Sequence, residues 1–369
     1  MTHRERLLGA LRFEPVDRVP DIEFGAWIQT VDRWIGEGFP EKYKDTGMWF
    51  SIPDYFKTED NIFRNESLGL KTTMHPGFET KVLEEKGDHI IFFNEEGVLC
   101  EMVRPELGAS IPKYLRFPIE SRQDWIKFRD ERLNPDDPAR VPEDIEERCK
   151  QSLTSDLPVA VEACGLYGLI RNWMGVENLS YAIYDDPDWV VEMMEHLTLL
   201  MESVYQRVAG KCKIDIAFWW EDMCFNHGPL ISPELFTKWM VPRYKRITDL
   251  LLNECGCEFN MVDCDGKIDR LVPFWVQCGI NVMFPVEIAH TDIYWLRKHF
   301  PQMPLVGGFD KRALAGGKDA IDAEFERLRP LFDSGGFIPH TDHLVPPDVS
   351  FDDYCYYREK KMNYIGRKG

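Results

Sequence analysis

The chain has 369 residues, of which 44% are hydrophobic and 29% charged, and this composition disfavours a disordered or low-complexity protein. Its 44 Lys and Arg residues against 63 Asp and Glu residues give a net charge of −19. Because such a charge repels polyanions, we expect neither nucleic acid nor an anionic membrane surface as a partner. The ten cysteines are scattered along the chain, and neither a signal peptide nor an apolar run of about 18 residues is evident. These features favour reduced thiols and a cytoplasmic location.

The chain opens with a predicted helix, because Thr2 and Glu5 form a capping box ahead of an apolar stripe. Residues 17–25 predict a first buried strand. Residues from about 30 to 155 are irregular and contain β-like pieces such as 89–93. We interpret this part as barrel elements that are interrupted by a β-rich insertion.

From residue 157 onward, short apolar runs alternate with helical segments. Six runs predict strands, at 157–165, 214–223, 257–266, 279–288, 303–310 and 336–344. Helix starts are predicted at Asp186-Pro187, Ser232-Pro233 and Ser350. Strand–helix units in series indicate a parallel sheet. No glycine-rich phosphate motif is present, and this favours a TIM barrel, (β/α)8, over an open doubly wound sheet. We expect one domain over residues 1–369, with an N-terminal β-rich insertion.

Polar residues follow almost every predicted strand, and in a barrel they meet at the C-terminal mouth. Carboxylates within about 6 Å repel by about 3 kcal/mol per pair at an effective dielectric constant near 20, so we expect some to be protonated or a cation to lie among them. The residues concerned are Glu162, Glu221, Asp222, Asp263, Asp265, Glu287, Asp310, His340, Asp342 and His343.

Asp263 and Asp265 are two residues apart, so on a strand their side chains share one face. Alternatively, Asp265 caps a helix that begins near Lys267. His343 lies in a loop, where an imidazole can bind a metal, move a proton or bond to the backbone.

Glu221 and Asp222 are neighbours and must face opposite ways on a strand, and we favour Asp222 for the mouth. Glu162 is flanked by apolar residues, where a carboxylate without a partner is costly to bury, and this points to function. Trp219 and its neighbour Trp220 either line an apolar substrate pocket or pack between barrel and helices.

The sequence resembles the uroporphyrinogen decarboxylase superfamily, which also contains cobalamin-linked methyltransferases and whose fold is a (β/α)8 barrel. The resemblance covers essentially the whole chain. It is carried by RERLLGALRFEPVDRVP, GLIRNWMGVENLSYAIYDDPDWV, EDMCFNHGPLISPELFTKWMVPRYKRI, VDCDGKIDRL and GGFIPHTDHLVPPDVSFDDY.

The chain is more similar to the methyltransferase branch than to true uroporphyrinogen decarboxylase. The decarboxylases carry an R-Q-A-G-R segment for the substrate carboxylates, where this chain reads EFGAWIQTVDRW. The methyltransferases bind zinc through a His-x-Cys pair and a distant Cys. The matching positions here are Asp263, Asp265 and His343, so the resemblance implies a divalent metal, zinc, on changed ligands.

The resemblance therefore implies a metal-assisted methyltransferase that acts on a small methoxylated or methylated compound. No cobalamin-binding module is evident in the chain, so a corrinoid would arrive on a partner protein, and a homodimer is a family-level expectation. The predicted catalytic residues are Glu162, Asp222 and His340, and the predicted substrate-binding residues are Trp219, Glu221, Glu287, Arg171 and Arg312.

Two alternatives remain open. One is a decarboxylase of a small carboxylic acid, in which Arg171 or Arg312 holds the carboxylate. The other is a barrel that binds a small cationic or aromatic ligand, or a protein, without turning it over.

Overall fold

The core of the fold is a sheet of seven parallel strands, described by a computed structural model over residues 1–59, 65–104 and 111–366. Its strand order is β1-β6-β7-β10-β11-β12-β13. The six predicted strands are confirmed as β6, β7, β10, β11, β12 and β13. A short β8–β9 hairpin lies between β7 and β10. The strands are β1 (Glu66–Ser67), β2 (Lys81–Lys86), β3 (His89–Phe93), β4 (Leu99–Val103), β5 (Lys113–Arg116), β6 (Val159–Glu162), β7 (Ile216–Trp220), β8 (Cys224–Phe225), β9 (Gly228–Pro229), β10 (Phe259–Asp263), β11 (Val282–Phe284), β12 (Leu305–Phe309) and β13 (Phe337–Thr341).

The sheet curls into a TIM-barrel-like shape. The ring of Phe284 on β11 lies 5.9 Å from Phe218 on β7 and 5.4 Å from His340 on β13, so it contacts strands two places away on either side. Phe24 completes this interior, 5.0 Å from the Phe284 ring. Among the described residues, β1 and β13 are the two edges of the ladder, and they do not pair with each other.

The predicted strand at 17–25 does not form. The residue after it, Ala26, makes an isolated parallel bridge with Val345. The neighbouring backbone groups bond elsewhere: Ala26 N–H donates to Met48, and Asp21 C=O accepts from Glu59. A ladder cannot propagate when its donors and acceptors are divided in this way.

Fifteen α-helices surround the sheet in the described part of the chain. The predicted starts are confirmed at α8 after Asp186, at α9 after Ser232 and at α15 after Ser350. The described residues contain no helix that is both long and apolar enough to cross a membrane. The helices are α1 (His3–Leu11), α2 (Ile28–Gly36), α3 (Gly47–Phe56), α4 (Arg122–Arg132), α5 (Ile145–Leu153), α6 (Tyr167–Met174), α7 (Val176–Asp185), α8 (Pro187–Gln206), α9 (Pro233–Leu235), α10 (Val241–Cys255), α11 (Val272–Gln277), α12 (Ile293–His299), α13 (Lys311–Ala315), α14 (Lys318–Ser334) and α15 (Phe351–Ile365).

The first helix covers the N-terminal end of the barrel. Its capping box forms as predicted, with Thr2 Oγ1 accepting from Glu5 N–H and the Glu5 carboxylate accepting from Thr2 N–H. Leu7 and Leu11 pack into the same apolar cluster as Ile216, at the start of β7. This end is therefore closed, and the opposite end is left for a site.

The predicted β-rich insertion is confirmed as an antiparallel sheet, β2-β3-β4-β5. The turn between β3 and β4 is held by Asn94, whose Oδ1 accepts from the N–H groups of Glu96 and Val98. This turn, together with β5, lies beside the mouth of the barrel, where Glu96 and Tyr114 line a cavity. The insertion thus forms a wall of the site.

One pair of cysteines is adjacent in the fold. Cys149 on α5 and Cys212 have Cα atoms 4.8 Å apart, which is within the range of a disulfide. The other eight are thiols, and all of them except Cys355 are buried.

A group of buried charges joins residues 21–23 to α15. The Arg358 guanidinium donates to both carboxylate oxygens of Asp21, each at 2.8 Å, and also reaches Glu23. The ammonium of Lys361 lies 2.7 Å from Glu23 Oε1. All four side chains are almost fully buried, so each charge depends on its partners to offset desolvation.

We expect Arg358→Ala to lower the free energy of unfolding by about 3 kcal/mol or more, because it leaves buried carboxylates without a partner. Urea denaturation measures the loss. Arg329→Ala is the matched control, since Arg329 is an exposed arginine paired with Glu326, and it should change stability little. Equal losses in the two variants would contradict the role of burial.

Candidate functional site

The mouth of the barrel holds two adjoining cavities, of about 840 Å³ and 380 Å³. Both are lined by Glu96, Asn172 and Trp220. The larger one reaches the loops after β7, β10 and β11, and the smaller one reaches Glu162 at the end of β6. Five of the predicted site residues line these cavities: Arg171, Asp222, Asp265, Glu287 and Glu162. The other six do not: Trp219, Glu221, Arg312, Asp263, His340 and His343.

Glu221 is buried beneath the mouth, where it holds the start of α6. Its carboxylate accepts from the N–H groups of Leu166 at 2.7 Å and of Tyr167 and Gly168 at 2.9 Å. It also accepts a bond from the Tyr244 hydroxyl on α10. With these four donors in place and no exposed surface, Glu221 supports the site from below, which corrects its predicted contact with substrate.

Trp219 and Trp220 face opposite ways, as adjacent strand residues must. Trp219 is fully buried outside the barrel, where its Nε1 donates to Asn260 Oδ1 at 3.1 Å and its ring packs 4.6 Å from Tyr244. Trp220 points into both cavities. The structure therefore corrects the prediction: Trp220, not Trp219, lines the pocket.

Asp222 lies at the mouth and is held by Arg171 of α6. One guanidinium nitrogen donates to Asp222 Oδ2 at 2.7 Å and to the Asp222 carbonyl at 2.6 Å. The same guanidinium lies 5.1 Å from the centre of the Trp220 ring. Asp222 takes a positive φ of 40°, which is uncommon for a residue with a side chain. Arg171 thus fixes a carboxylate and an aromatic wall together.

Glu162 and Glu96 both line the smaller cavity. Glu162 is exposed at the end of β6. Its backbone carbonyl accepts from Thr72 and Tyr205, whereas no described side chain donates to its carboxylate, and the protein atoms around that carboxyl raise its pKa. Burial likewise raises the pKa of Glu96, although Asn172 donates to it at 3.0 Å. Sequence reasoning missed Glu96, because a polar hairpin turn ordinarily points to solvent.

The predicted metal ligands are only partly brought together. Asp265 Oδ2 lies 3.4 Å from His343 Nε2. Asp263 lies on the inner face of β10, and burial, Asp265 and Asp222 together raise the pKa of its carboxyl well above the usual range. Among the described residues, no three His, Cys, Asp or Glu side chains are close enough to hold a metal ion. This arrangement does not fit a three-ligand zinc centre, and we therefore assign no reaction step to a metal.

The alternative interpretation of Asp265 as a helix cap is not supported, since α11 begins only at Val272. Gly266 after it takes a φ of 79°, and a Cβ there would lie 3.0 Å from the carbonyl oxygen of Phe225. The close approach of this loop to β8 therefore requires glycine.

His340 is buried within the barrel, between the rings of Phe24 and Phe284. Its Nδ1 lies 2.6 Å from the Thr341 carbonyl oxygen, so Nδ1 carries the proton. Burial lowers the pKa of His340 to about 4. The imidazole is therefore neutral at pH 7, and Nε2 has no partner among the described atoms.

The remaining charged residues pair locally. Glu287 in the lining accepts from Lys311 Nζ at 2.9 Å and from Gly266 N–H at 3.0 Å. Arg312 is exposed and paired with Asp310, away from the cavities. Asp342 accepts from two loop N–H groups, and burial raises its pKa to about 6.

A sequence model described as Uroporphyrinogen decarboxylase (URO-D) matches residues 103–356. The chain belongs to this family. No curated protein matches the chain in sequence. Among solved structures, a methyltransferase from Methanosarcina mazei is similar in fold, with a TM-score of 0.55 and 14% sequence identity over 98% of this chain and 99% of that chain. At this identity the likeness supports the TIM-barrel-like fold of the family.

We expect Glu221→Ala to lower the free energy of unfolding by about 3 kcal/mol, because three buried N–H groups and a hydroxyl lose their acceptor. Chemical denaturation measures the change. Glu177→Ala is the control, since Glu177 is exposed in the first turn of α7, and it should have little effect. A stable Glu221→Ala protein would show that the four bonds contribute little.

Metal binding stays a prediction, and elemental analysis of the purified protein tests it. The resemblance predicts one zinc per chain, which His343→Ala should lose. His299→Ala is the control and should keep the zinc, because His299 is an exposed histidine on α12. Purified protein without stoichiometric metal would contradict the prediction and agree with the ligand arrangement.

Proposed function

We propose that the chain transfers a methyl group from a small methylated or methoxylated compound to a corrinoid carried by a partner protein. One observation carries this proposal. Arg171, the one Lys or Arg among the described lining residues, is already bound to Asp222, and Glu287 of the lining is already paired with Lys311. A pocket of this kind suits a small neutral or cationic compound, and the fold likeness to a methyltransferase supports the reaction class.

The same observation disfavours decarboxylation of a polycarboxylate. A substrate with several carboxylates needs cationic groups that are free to pair with it. Arg171 makes two bonds to Asp222, and Arg312 lies outside the cavities and pairs with Asp310. Binding a carboxylate at either arginine would first require breaking an existing ion pair.

The rim of the larger cavity favours a protein partner. Tyr114, Val176 and Phe225 line the cavity and are also 51%, 47% and 62% exposed. Exposed apolar residues grouped around a pocket are typical of surfaces that bind a protein. A corrinoid delivered by such a partner would supply the cobalt nucleophile that accepts the methyl group.

The chain's own residues would bind and orient the methyl donor. Trp220 forms the wall that both cavities share, and Arg171 fixes its position. Glu162 and Glu96 supply polar contacts in the inner cavity. We assign no proton transfer to His340, because its imidazole is neutral and buried.

The proposal predicts formation of methylcobalamin when the protein is mixed with cob(I)alamin and a panel of methoxylated and N-methylated compounds, followed by absorbance. Glu162→Gln should lower kcat/KM by about tenfold or more, because a carboxyl group that contacts the donor is lost. Glu147→Gln is the control, since Glu147 is exposed on α5.

Two results would contradict the proposal. Absence of methylcobalamin with every compound would remove the methyltransferase assignment. Release of carbon dioxide from a small carboxylic acid, without cob(I)alamin, would instead support the decarboxylase alternative.

A further inference from the structure

The two cavities carry more negative charge than their own cations balance. Arg171 in the lining pairs with Asp222, and Glu287 in the lining pairs with Lys311, which lines neither cavity. Glu96 and Glu162, which line the cavities, have no Lys or Arg within ion-pair distance in the described part of the chain. Asp265 has only His343, at 3.4 Å. An excess of carboxylates in a concave site favours a cationic ligand.

The protein around these carboxylates makes the excess costly. Protein atoms near Glu96 and Glu162 raise the pKa of both carboxyl groups. A carboxyl group in such a place either stays protonated or gains a positive neighbour. A ligand that brings a positive charge would therefore stabilise the ionised form of the groups that line the pocket.

Aromatic rings line the same space. Trp220 borders both cavities, and Tyr114, Phe117 and Phe225 border the larger one. The Trp220 ring already contacts one cation, the Arg171 guanidinium 5.1 Å from its centre, and the same ring borders both cavities. Trp and Tyr rings are the side chains that best bind quaternary and methylated ammonium groups.

The carboxylates of the two cavities are too dispersed to make a bare metal ion the favoured ligand. A metal needs several ligands that converge on one point, and no three of the described His, Cys, Asp or Glu residues do so. A methylated ammonium ion spreads its charge over its methyl groups and needs no convergent ligands. Carboxylates dispersed around aromatic walls suit it.

We propose that the methyl donor is a methylated ammonium cation, bound between Trp220 and the carboxylates of Glu96 and Glu162. This inference rests on the proposed function and names its substrate class. In the reaction, the C–N bond breaks and its electron pair stays on nitrogen, so that a quaternary donor leaves as a neutral amine. The methyl group forms its new bond with the electron pair of cob(I)alamin, and no proton is required.

Binding tests the inference without turnover. Isothermal titration with choline is compared with 3,3-dimethyl-1-butanol, in which a neutral carbon replaces the quaternary nitrogen, at ionic strength matched with KCl. We expect choline to bind at least about tenfold more tightly than the alcohol. Equal affinity for the two, or no choline binding, would overturn the inference.

Variants locate the site. Glu96→Gln and Glu162→Gln should each weaken choline binding by about five- to tenfold and leave binding of the alcohol nearly unchanged. Trp220→Ala should weaken binding of both compounds, choline by about five- to tenfold. Glu84→Gln is the matched control, since Glu84 is exposed on β2 of the same inserted sheet. Choline binding that none of the three site variants changes would place the cation elsewhere and overturn the inference.

The two proposals fail in different ways. Methyl transfer to cob(I)alamin from methoxylated compounds alone would keep the proposed function and overturn the cationic donor. Selective choline binding that depends on Glu96 and Glu162, with no methyl transfer from any compound, would support the cation site and overturn the proposed function.

Discussion

The site depends on a single buried carboxylate at the end of β7. Glu221 accepts bonds from three successive N–H groups at the start of α6 and from the hydroxyl of Tyr244 on α10. Because α6 carries Arg171 and the end of β7 carries Trp220 and Asp222, this carboxylate fixes both sides of the pocket. The packing is close: a Cβ at Gly168 would lie 2.7 Å from the Glu221 carbonyl oxygen. An anion at a helix N-terminus is favourable in any protein, and here it also places the lining residues.

The spacing of apolar residues and the position of helix-capping residues in the sequence predict the barrel well. Apolar runs and capping residues locate β6 to β13 and the starts of α8, α9 and α15. The alternation of side chains between the two faces of a strand also predicts that Trp220 lines the pocket. If Asp222 faces the mouth, Trp220 two residues earlier faces the same way, and the ladder pairs it with Asp263. By the same rule Trp219 faces the opposite way, toward Asn260 and Tyr244.

Other features depend on long-range contacts and leave no local signal. Glu96 lies in a hairpin turn of the insertion, and only the packing of that sheet against the mouth brings it to Asn172 and Trp220. The segment around Phe24 reads as a strand, yet its backbone bonds are shared among Met48, Val345 and Glu59. The resemblance correctly places Asp265 beside His343, but it does not show that Asp263 completes a metal-binding group.

The inserted sheet gives this barrel its particular pocket. Without the insertion, the strand ends would form a more open mouth, with Asp222 and Asp265 of the lining facing water. The insertion adds Glu96, Tyr114 and Phe117 as a wall, and it encloses the carboxylates where their charge is poorly screened. Because Arg171 and Lys311 are already paired with Asp222 and Glu287, neither is free to balance the charge of Glu96 and Glu162, and a proton or a ligand can do so. Ligand selectivity in this chain therefore arises from the insertion and the barrel together.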